Sequence, residues 1–183
     1  MQTDLSQYDN SWYSPKAGVL KRILWMLISF LFFEHSLSVG SAWKVKILRL
    51  FGAKVGEGVV IKPTVQIKYP WLLKVGDYTW IGEKVWIDNL VRVEIGSHAC
   101  LSQGAMLLTG NHNFKKSTFD LMVGEIKIED GAWIGAKAMV APGVTCGSHS
   151  ILTVMAVATK DMEAYGIYSG IPAEKIKTRT IEA

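Results

Sequence analysis

The sequence of 183 residues predicts an all-β solenoid, a parallel β-helix made of six-residue repeats. The main observation is that an aliphatic residue recurs at every sixth position, in four runs. Fifteen of the seventeen positions are Val, Ile or Leu, where chance would fill about four or five. The positions are Val55, Ile61, Ile67, Leu73, Val75, Ile81, Ile87, Val93, Ile95, Leu101, Leu107, Ile128, Ile134, Val140, Cys146, Leu152 and Ala158. A period of six fits neither an α-helix nor an alternating strand, and it places one side chain per repeat inside a triangular prism.

Small residues recur at two fixed distances from these inward positions. Glycine follows directly at Gly56, Gly76, Gly82, Gly96, Gly135 and Gly147. Another compact residue comes four positions after the inward one, at Thr79, Ala99, Ala105, Ala132, Ala138 and Ala156. Because glycine tolerates backbone angles that crowd other side chains, we interpret the glycines as corner residues.

The interruptions of the repeat divide the chain into coils. Two-residue slips make successive coils begin at Val55, Val75 and Ile95, and the next regular start is Ile128. That last interval is 13 residues longer than the 20-residue coil, which predicts an excursion loop at about residues 110–125. A long loop on a regular scaffold tends to carry function, although a tolerated insertion is the alternative.

The open ends of a solenoid need covers, and the flanking segments supply them. We expect a cap in residues 1–54, a β-helix in residues 55–160 and a tail in residues 161–183. The apolar run Ile23–Phe33 is too short to span a bilayer, and Asp4 and Asp9 precede it, unlike a signal peptide. It is either a helix that caps the coils or packs in an oligomer, or a helix that lies on a membrane surface.

Composition narrows the function class. The net charge is +4, and the basic residues gather near the two ends without the basic–aromatic stretches of a nucleic-acid-binding protein. Of the two cysteines, Cys146 occupies an inward position and Cys100 has no evident partner, so we expect no disulfide framework and a reducing, cytoplasmic setting.

Among the four histidines, His112 stands where the repeat stops and the excursion begins, within Thr109–Phe114. An imidazole near neutral pKa suits removal of a proton from a hydroxyl or an amine. His98 and His149 occupy outward corner positions and are most simply solvated. The four histidines are at least 14 residues apart, so we predict no metal site of the γ-carbonic-anhydrase type.

Three segments follow one another in the order seen in the hexapeptide acyltransferases. They are Trp133-Ile134-Gly135-Ala136, Val140-Ala141-Pro142-Gly143-Val144-Thr145 and Ala158-Thr159-Lys160-Asp161. The tail Ser169–Lys175 resembles the closing segment of that family, with Ile171 where the family commonly has Asn. Within the superfamily the chain resembles the galactoside/maltose/nodulation acetyltransferase branch, and most closely the colanic-acid biosynthesis acetyltransferases, through Ile61–Pro63, Ile67–Trp71, Trp86–Asn89 and Thr109–His112. The resemblance implies a left-handed β-helix, acetyl-CoA as acyl donor, and a homotrimer with active sites at subunit interfaces.

The resemblance also implies roles for residues around the acceptor. It makes His112 the general base that deprotonates the acceptor. Asn89 matches a family asparagine of the acceptor pocket, and the alternative is a corner residue that satisfies backbone groups. Asp88 is a further candidate, because a carboxylate accepts hydrogen bonds from sugar hydroxyls.

On the coenzyme side, Trp133 and the amides of Gly135 and Ala136 match the segment that lines the acyl-CoA arm. A backbone N–H there would polarise the thioester carbonyl. Thr159 and Lys160 match positions near the coenzyme phosphates.

We therefore expect an acetyl-CoA-dependent O-acetyltransferase that acts on a sugar hydroxyl in exopolysaccharide biosynthesis, without a catalytic metal. The sugar is free or lipid-linked, and the setting is the cytoplasm or the inner face of its membrane. An amino-sugar N-acetyltransferase and a non-catalytic hexapeptide-repeat scaffold are the alternatives.

Overall fold

A computed structural model describes residues 2–182 as a left-handed parallel β-helix of about six turns, which confirms the predicted fold class. A short 3₁₀ helix, Leu5–Gln7, lies near the N-terminus. Two α-helices follow, α1 at Val19–Phe32 and α2 at Ser41–Leu50, and a further 3₁₀ turn, Pro70–Leu72, interrupts the coils.

The coils build a prism with three sheets, which we call faces A, B and C. Face A holds β1 (Lys54–Val55), β4 (Leu73–Val75), β7 (Val93–Ile95), β12 (Ile126–Ile128) and β15 (Thr145–Cys146). Face B holds β2 (Val60–Ile61), β5 (Trp80–Ile81), β8 (Cys100–Leu101), β13 (Trp133–Ile134), β16 (Ile151–Leu152), β18 (Gly166–Gly170) and β19 (Ala173–Thr178). Face C holds β3 (Gln66–Ile67), β6 (Trp86–Asp88), β9 (Met106–Leu108), β14 (Met139–Val140) and β17 (Val157–Ala158).

The core is the stack of inward side chains that the six-residue period predicts. All seventeen predicted inward residues are buried, and Ile81, Ile87 and Leu107 have no exposed surface. Parallel pairing places them in register, so that Ile61 lies over Ile81 and Ile81 over Leu101 on face B. The compact residues four positions further on are buried as well.

The six positions directly after the inward residues that hold glycine require it for a different reason from the one predicted. None of these six residues adopts a positive φ. A Cβ on Gly76 would instead lie 2.5 Å from the backbone nitrogen of Ser97 in the next coil, so these positions need glycine because two coils approach closely. The left-handed corner residue comes three positions after the inward one and is often not glycine, as at Tyr78, His98 and His149.

The excursion leaves the edge between faces C and A as an antiparallel hairpin. Strand β10 (Gly110–His112) pairs with β11 (Leu121–Val123), and His112 lies opposite Leu121. The chain then returns to face A at β12, whose register continues that of β7.

Side chains of the N-terminal cap satisfy the open edge of the first coil, one on each face. Trp25 of α1 donates its Nε1–H to the carbonyl of Ile67 on face C at 2.8 Å. Lys44 of α2 donates Nζ–H to the carbonyls of Ile61 at 3.3 Å and Lys62 at 2.9 Å, next to face B. Arg49 donates to the carbonyl of Val55 on face A. The cap therefore replaces the hydrogen bonds that a preceding coil would make.

The tail continues face B at the other end. Strand β18 pairs in parallel with β16, and β19 folds back on β18 in antiparallel pairing. Arg179 then donates to the carbonyls of Gly131 and His149, which holds the tail alongside the coils.

The outward side chains make the three faces chemically different. Face A presents charged residues in register, with Lys74 paired to Glu94 at 3.5 Å. Face B presents a mostly apolar row: Val60, Trp80, Cys100, Trp133 and Ile151. Face C presents a second such row: Gln66, Trp86, Met106, Met139 and Val157.

Candidate active site

His112 is held by the hairpin that carries it. Its Nδ1 lies 2.9 Å from the carbonyl oxygen of Phe119, and the two rings stack at 4.5 Å between centroids with 6° between planes. A carbonyl oxygen can only accept, so this contact keeps the proton on Nδ1 and leaves the lone pair of the neutral ring on Nε2. The geometry therefore presents Nε2 as the atom that can take up a proton.

The N-terminal segment lies across the same hairpin, an arrangement that the sequence analysis missed. The amide of Asp4 donates to the carbonyl of Ser117 at 2.9 Å. The ring of Tyr8 packs against His112 with centroids 5.7 Å apart and 55° between planes. The imidazole thus lies between Phe119 and Tyr8. No repeat or motif connects residues 4–8 with the hairpin, so no signal in the sequence announces this contact.

Polar and aromatic side chains cluster along the same edge, on the first two coils. Asp88, the last residue of β6, forms an ion pair with Lys68 at 2.8 Å. The hydroxyl of Tyr13 donates to the carbonyl of Leu90 at 2.8 Å, and burial, with Tyr69 nearby, raises the pKa of that phenol. We call Tyr13, Lys68, Tyr69 and Asp88 the acceptor cluster. It offers hydroxyl, ammonium and carboxylate groups beside aromatic rings, a mixture that suits a polyhydroxylated ligand.

Asn89 lies beneath this cluster rather than on its surface. The residue is fully buried; its Oδ1 accepts from the amide of Tyr69 at 2.9 Å and its Nδ2 donates to the Tyr69 carbonyl at 2.7 Å. This is the backbone-satisfying alternative, and it positions Tyr69. A direct contact between Asn89 and an acceptor stays a prediction.

Trp133 marks a second site, on face B. A cavity of about 430 Å³ lies there between the fourth and fifth coils, with Trp133, Ala136 and Val154 in its wall. The Nε1–H of Trp133 donates to Oγ of Ser102 at 2.8 Å, which orients the half-exposed indole. The mainly apolar wall suits an uncharged, flexible chain such as the arm of a coenzyme.

The two amides predicted to face a thioester differ in availability. The Gly135 N–H donates to the carbonyl of Leu152 at 2.7 Å, as part of the contact between coils. The Ala136 N–H has no acceptor among residues 2–182. Ala136 is therefore the better candidate for an oxyanion donor, and Gly135 serves close packing because a Cβ there would lie 2.7 Å from the Leu152 oxygen.

The prism separates the two groups of predicted residues. Asp88, Asn89 and the His112 hairpin lie at the edge between faces C and A, and the exposed pair Thr159 and Lys160 follows β17 at that same edge. Trp133 lies on face B, the face opposite that edge. Within one chain the predicted base and the coenzyme-lining indole therefore do not meet.

Two of the other histidines occupy corners of the coils. His98 and His149 have positive φ and stack on Tyr78 at 5.3 Å and on Tyr165 at 4.9 Å, respectively. Within residues 2–182, no group of three or more His, Cys, Asp or Glu side chains is arranged to hold a metal ion.

No family model matches the chain, but individual relatives do. It is 37% identical over 162 residues to WcaF of Escherichia coli K12, a protein named as a colanic acid biosynthesis acetyltransferase, and the match covers 88% of this chain and 89% of WcaF. It is 24% identical to the galactoside O-acetyltransferase of the same organism, over 79% of this chain and 73% of the relative.

Solved structures share the fold. The hexapeptide-repeat acetyltransferase VCA0836 of Vibrio cholerae, solved with acetyl coenzyme A, aligns with a TM-score of 0.79 at 20% identity, over 87% of each chain. A galactoside acetyltransferase in complex with coenzyme A aligns with a TM-score of 0.76 at 22% identity, over 87% of this chain and 80% of that one. With its six-residue repeat, its coiled prism and its 37% identity to WcaF over most of both chains, the protein belongs to the hexapeptide-repeat acetyltransferases.

Proposed function

We propose that the protein is an acetyl-CoA-dependent O-acetyltransferase that acts on a sugar hydroxyl during assembly of an exopolysaccharide, at the cytoplasmic face of the membrane. The observation that carries the proposal is the hydrogen bond from His112 Nδ1–H to the Phe119 carbonyl, which directs the basic Nε2 away from the hairpin backbone. The names of WcaF and of the galactoside O-acetyltransferase support a sugar acceptor.

In the proposed reaction, Nε2 of His112 removes the proton of the acceptor hydroxyl as its oxygen attacks the thioester carbonyl. The tetrahedral intermediate then collapses, coenzyme A leaves as the thiol, and the proton on the imidazolium returns to the departing sulfur. The Phe119 carbonyl stabilises the imidazolium through the Nδ1–H bond and keeps the ring in one tautomer. The Ala136 N–H would stabilise the developing oxyanion.

The acceptor cluster supplies the contacts that a sugar needs. The Asp88 carboxylate accepts from sugar hydroxyls, while Lys68 keeps that carboxylate oriented through the 2.8 Å ion pair. Tyr8 places an aromatic ring beside His112, and Tyr69 contributes another ring to the acceptor cluster. We assign Asn89 to this set as the residue that fixes the Tyr69 backbone.

Acetyl-CoA would lie along face B. The cavity beside Trp133 accommodates the pantetheine arm, and Gly135 allows the coil beneath it to pack closely. Thr159 and Lys160 are solvent-exposed at the edge that bears His112, so the pair from the copy that supplies His112 would contact the coenzyme phosphates. The coenzyme complexes of VCA0836 and of a galactoside acetyltransferase support this donor.

The active site requires more than one copy of the chain. The edge that bears His112 is opposite the face that bears Trp133, so the two meet only when face B of one copy packs against that edge of another. The apolar rows on faces B and C suit such a contact, whereas the charged row on face A suits solvent. A contact that joins two different surfaces repeats from copy to copy, and it forms a ring when the rotation between copies closes. We propose such a ring, a homotrimer with three interfacial sites.

Thiol release from acetyl-CoA, measured across a panel of free and lipid-linked sugars, tests the proposal. His112→Ala should lower turnover by about 10²–10⁴-fold, the usual contribution of a general base, and His98→Ala is the matched control. The inward stack does not include His112, so the far-UV spectrum and melting temperature of the variant should match wild type. Wild-type-like turnover of His112→Ala would remove the assignment. Thiol release only with amino sugars would favour N-acetylation. Failure to release thiol with every acceptor tested would favour a scaffold.

A further inference from the structure

Helix α1 leaves most of its surface uncovered. Trp25 and Ser29 are buried against the first coil, but eight apolar side chains of the helix are 47–81% exposed. These eight residues, which we call the α1 apolar face, are Val19, Leu20, Ile23, Leu24, Met26, Leu27, Phe30 and Leu31. At the helical rotation per residue they fill an arc of about 160° that contains no polar or charged side chain.

This surface is larger than a soluble protein normally exposes. Eight side chains at these exposures present on the order of 700 Å² of apolar area, whereas a typical monomer keeps its largest patch at a few hundred. Among residues 2–182, no helix is long and apolar enough to cross a bilayer. The α1 apolar face therefore suits a partner that it lies against.

The charges around the helix identify the partner. Residues 15–56 contain seven Lys or Arg residues and a single acid, Glu34, whose carboxylate accepts a hydrogen bond from Ser29 at 2.6 Å. Five of the basic residues are exposed: Lys16, Lys21, Lys46, Arg49 and Lys54. No carboxylate among residues 2–182 forms an ion pair with any of the five.

We propose that the α1 apolar face docks on an anionic lipid bilayer. The helix lies in the plane of the membrane with these side chains at the boundary between headgroups and acyl chains, and the lysines contact lipid phosphates. Basic residues near such a surface are attracted to the anionic headgroups, and burial of the apolar area adds to this attraction. A second copy of the chain fits less well, because pairing two caps would bring two positive surfaces together.

Docking would place the active site close to the lipid. Coils are about 4.8 Å apart, and the edge that bears Asp88 and His112 belongs to the second and third coils. The base therefore lies on the order of 10 Å from the first coil, and the thickness of the cap helix adds about 10 Å more. If the proposed function holds, this distance suits a sugar joined to a membrane lipid through a phosphate. Docking itself does not depend on the acetyl transfer.

Flotation with phosphatidylcholine vesicles that contain about 30% of the anionic lipid phosphatidylglycerol tests the inference. The test pair is Leu20→Glu with Leu27→Glu, at exposed positions where folding should survive. The matched control is Ile171→Glu with Ile176→Glu, two exposed residues of the tail with the same change in charge. Trp25 is unsuitable although it belongs to the apolar run, because it is buried and donates to Ile67.

We expect the wild type and the control to bind at low salt, with binding weakened by high salt. The α1 pair should lower the partition coefficient at least tenfold while keeping the wild-type spectrum. Sedimentation velocity without lipid should give the wild type and the α1 pair variant the same mass. The inference would be overturned if the wild type did not bind at low salt, or if the control lost binding equally. A smaller assembly for the α1 pair would also overturn it, because another copy of the chain would then cover the α1 apolar face.

Discussion

The buried lysine of the cap makes stability depend on pH in a direction that can be tested. Lys44 has no exposed surface, and within residues 2–182 its ammonium donates to two backbone carbonyls and lies near the rings of Phe33 and Trp43, with no carboxylate partner. Burial without a carboxylate partner lowers the pKa of Lys44 to about 8. The perturbation is Lys44→Met, which keeps the aliphatic stem and removes the titrating group.

The magnitude follows from the difference between the folded and unfolded pKa values. In the unfolded chain the lysine titrates near its ordinary value of about 10.4, so the unfolded state binds more protons between about pH 8 and 10.4. The free energy of unfolding therefore rises with pH across that window. From pH 7 to pH 10 the wild type should gain about 2.5 kcal/mol relative to Lys44→Met, since each pKa unit is worth about 1.4 kcal/mol.

Urea unfolding of both proteins at one chain concentration, repeated from pH 7 to pH 10, measures this gain. The constant concentration matters because assembly adds to apparent stability. The lost carbonyl contacts shift the variant by a constant amount, so only the difference in slope carries the effect of titration. Parallel pH profiles would refute the reasoning, and a wild type that loses stability relative to the variant above pH 8 would reverse its sign.

Two further predictions concern the site. Gly135→Ala should destabilise the protein by about 1–3 kcal/mol and weaken acetyl-CoA binding, because its Cβ would lie 2.7 Å from backbone atoms of the next coil. Thermal melting and coenzyme titration measure both effects, and Gly18→Ala, which has open space in the cap, should leave coenzyme binding unchanged. Tyr8→Ala should raise KM for the sugar about tenfold and leave KM for acetyl-CoA unchanged, because the ring contacts His112 on the acceptor side. Steady-state kinetics test it against Tyr78→Ala, which removes an exposed ring from another corner; an equal change in both variants would argue against a role for Tyr8.

The six-residue period was enough to predict the core. Each repeat contributes one inward residue and pairs with the same repeat of the next coil, so the pattern along the chain maps directly onto burial. The same regularity locates the excursion, because a coil that restarts at Ile128 rather than 13 residues earlier must leave the prism. His112 stood out for that reason.

Other features depend on contacts that no period encodes. The glycines after inward residues are explained by the backbone of the neighbouring coil, which a local rule about backbone angles does not include. The amide of Gly135 is already bonded to Leu152, and the side chain of Asn89 is already bonded to Tyr69. A residue type and a family match predict a hydrogen-bond donor or acceptor. They do not say whether that group already forms a hydrogen bond with another coil.

The apolar run shows the boundary between the two kinds of information most clearly. Its composition and its basic flank are visible in the sequence, and they indicate a helix at an interface. The packing of this helix against the first coil decides which of its side chains are buried. Trp25 donates to the carbonyl of Ile67, whereas Leu20 stays exposed to solvent. A repeat of short period specifies its own stacking because the contacts are between equivalent positions, whereas caps, hairpins and sites join unlike segments and depend on the folded chain.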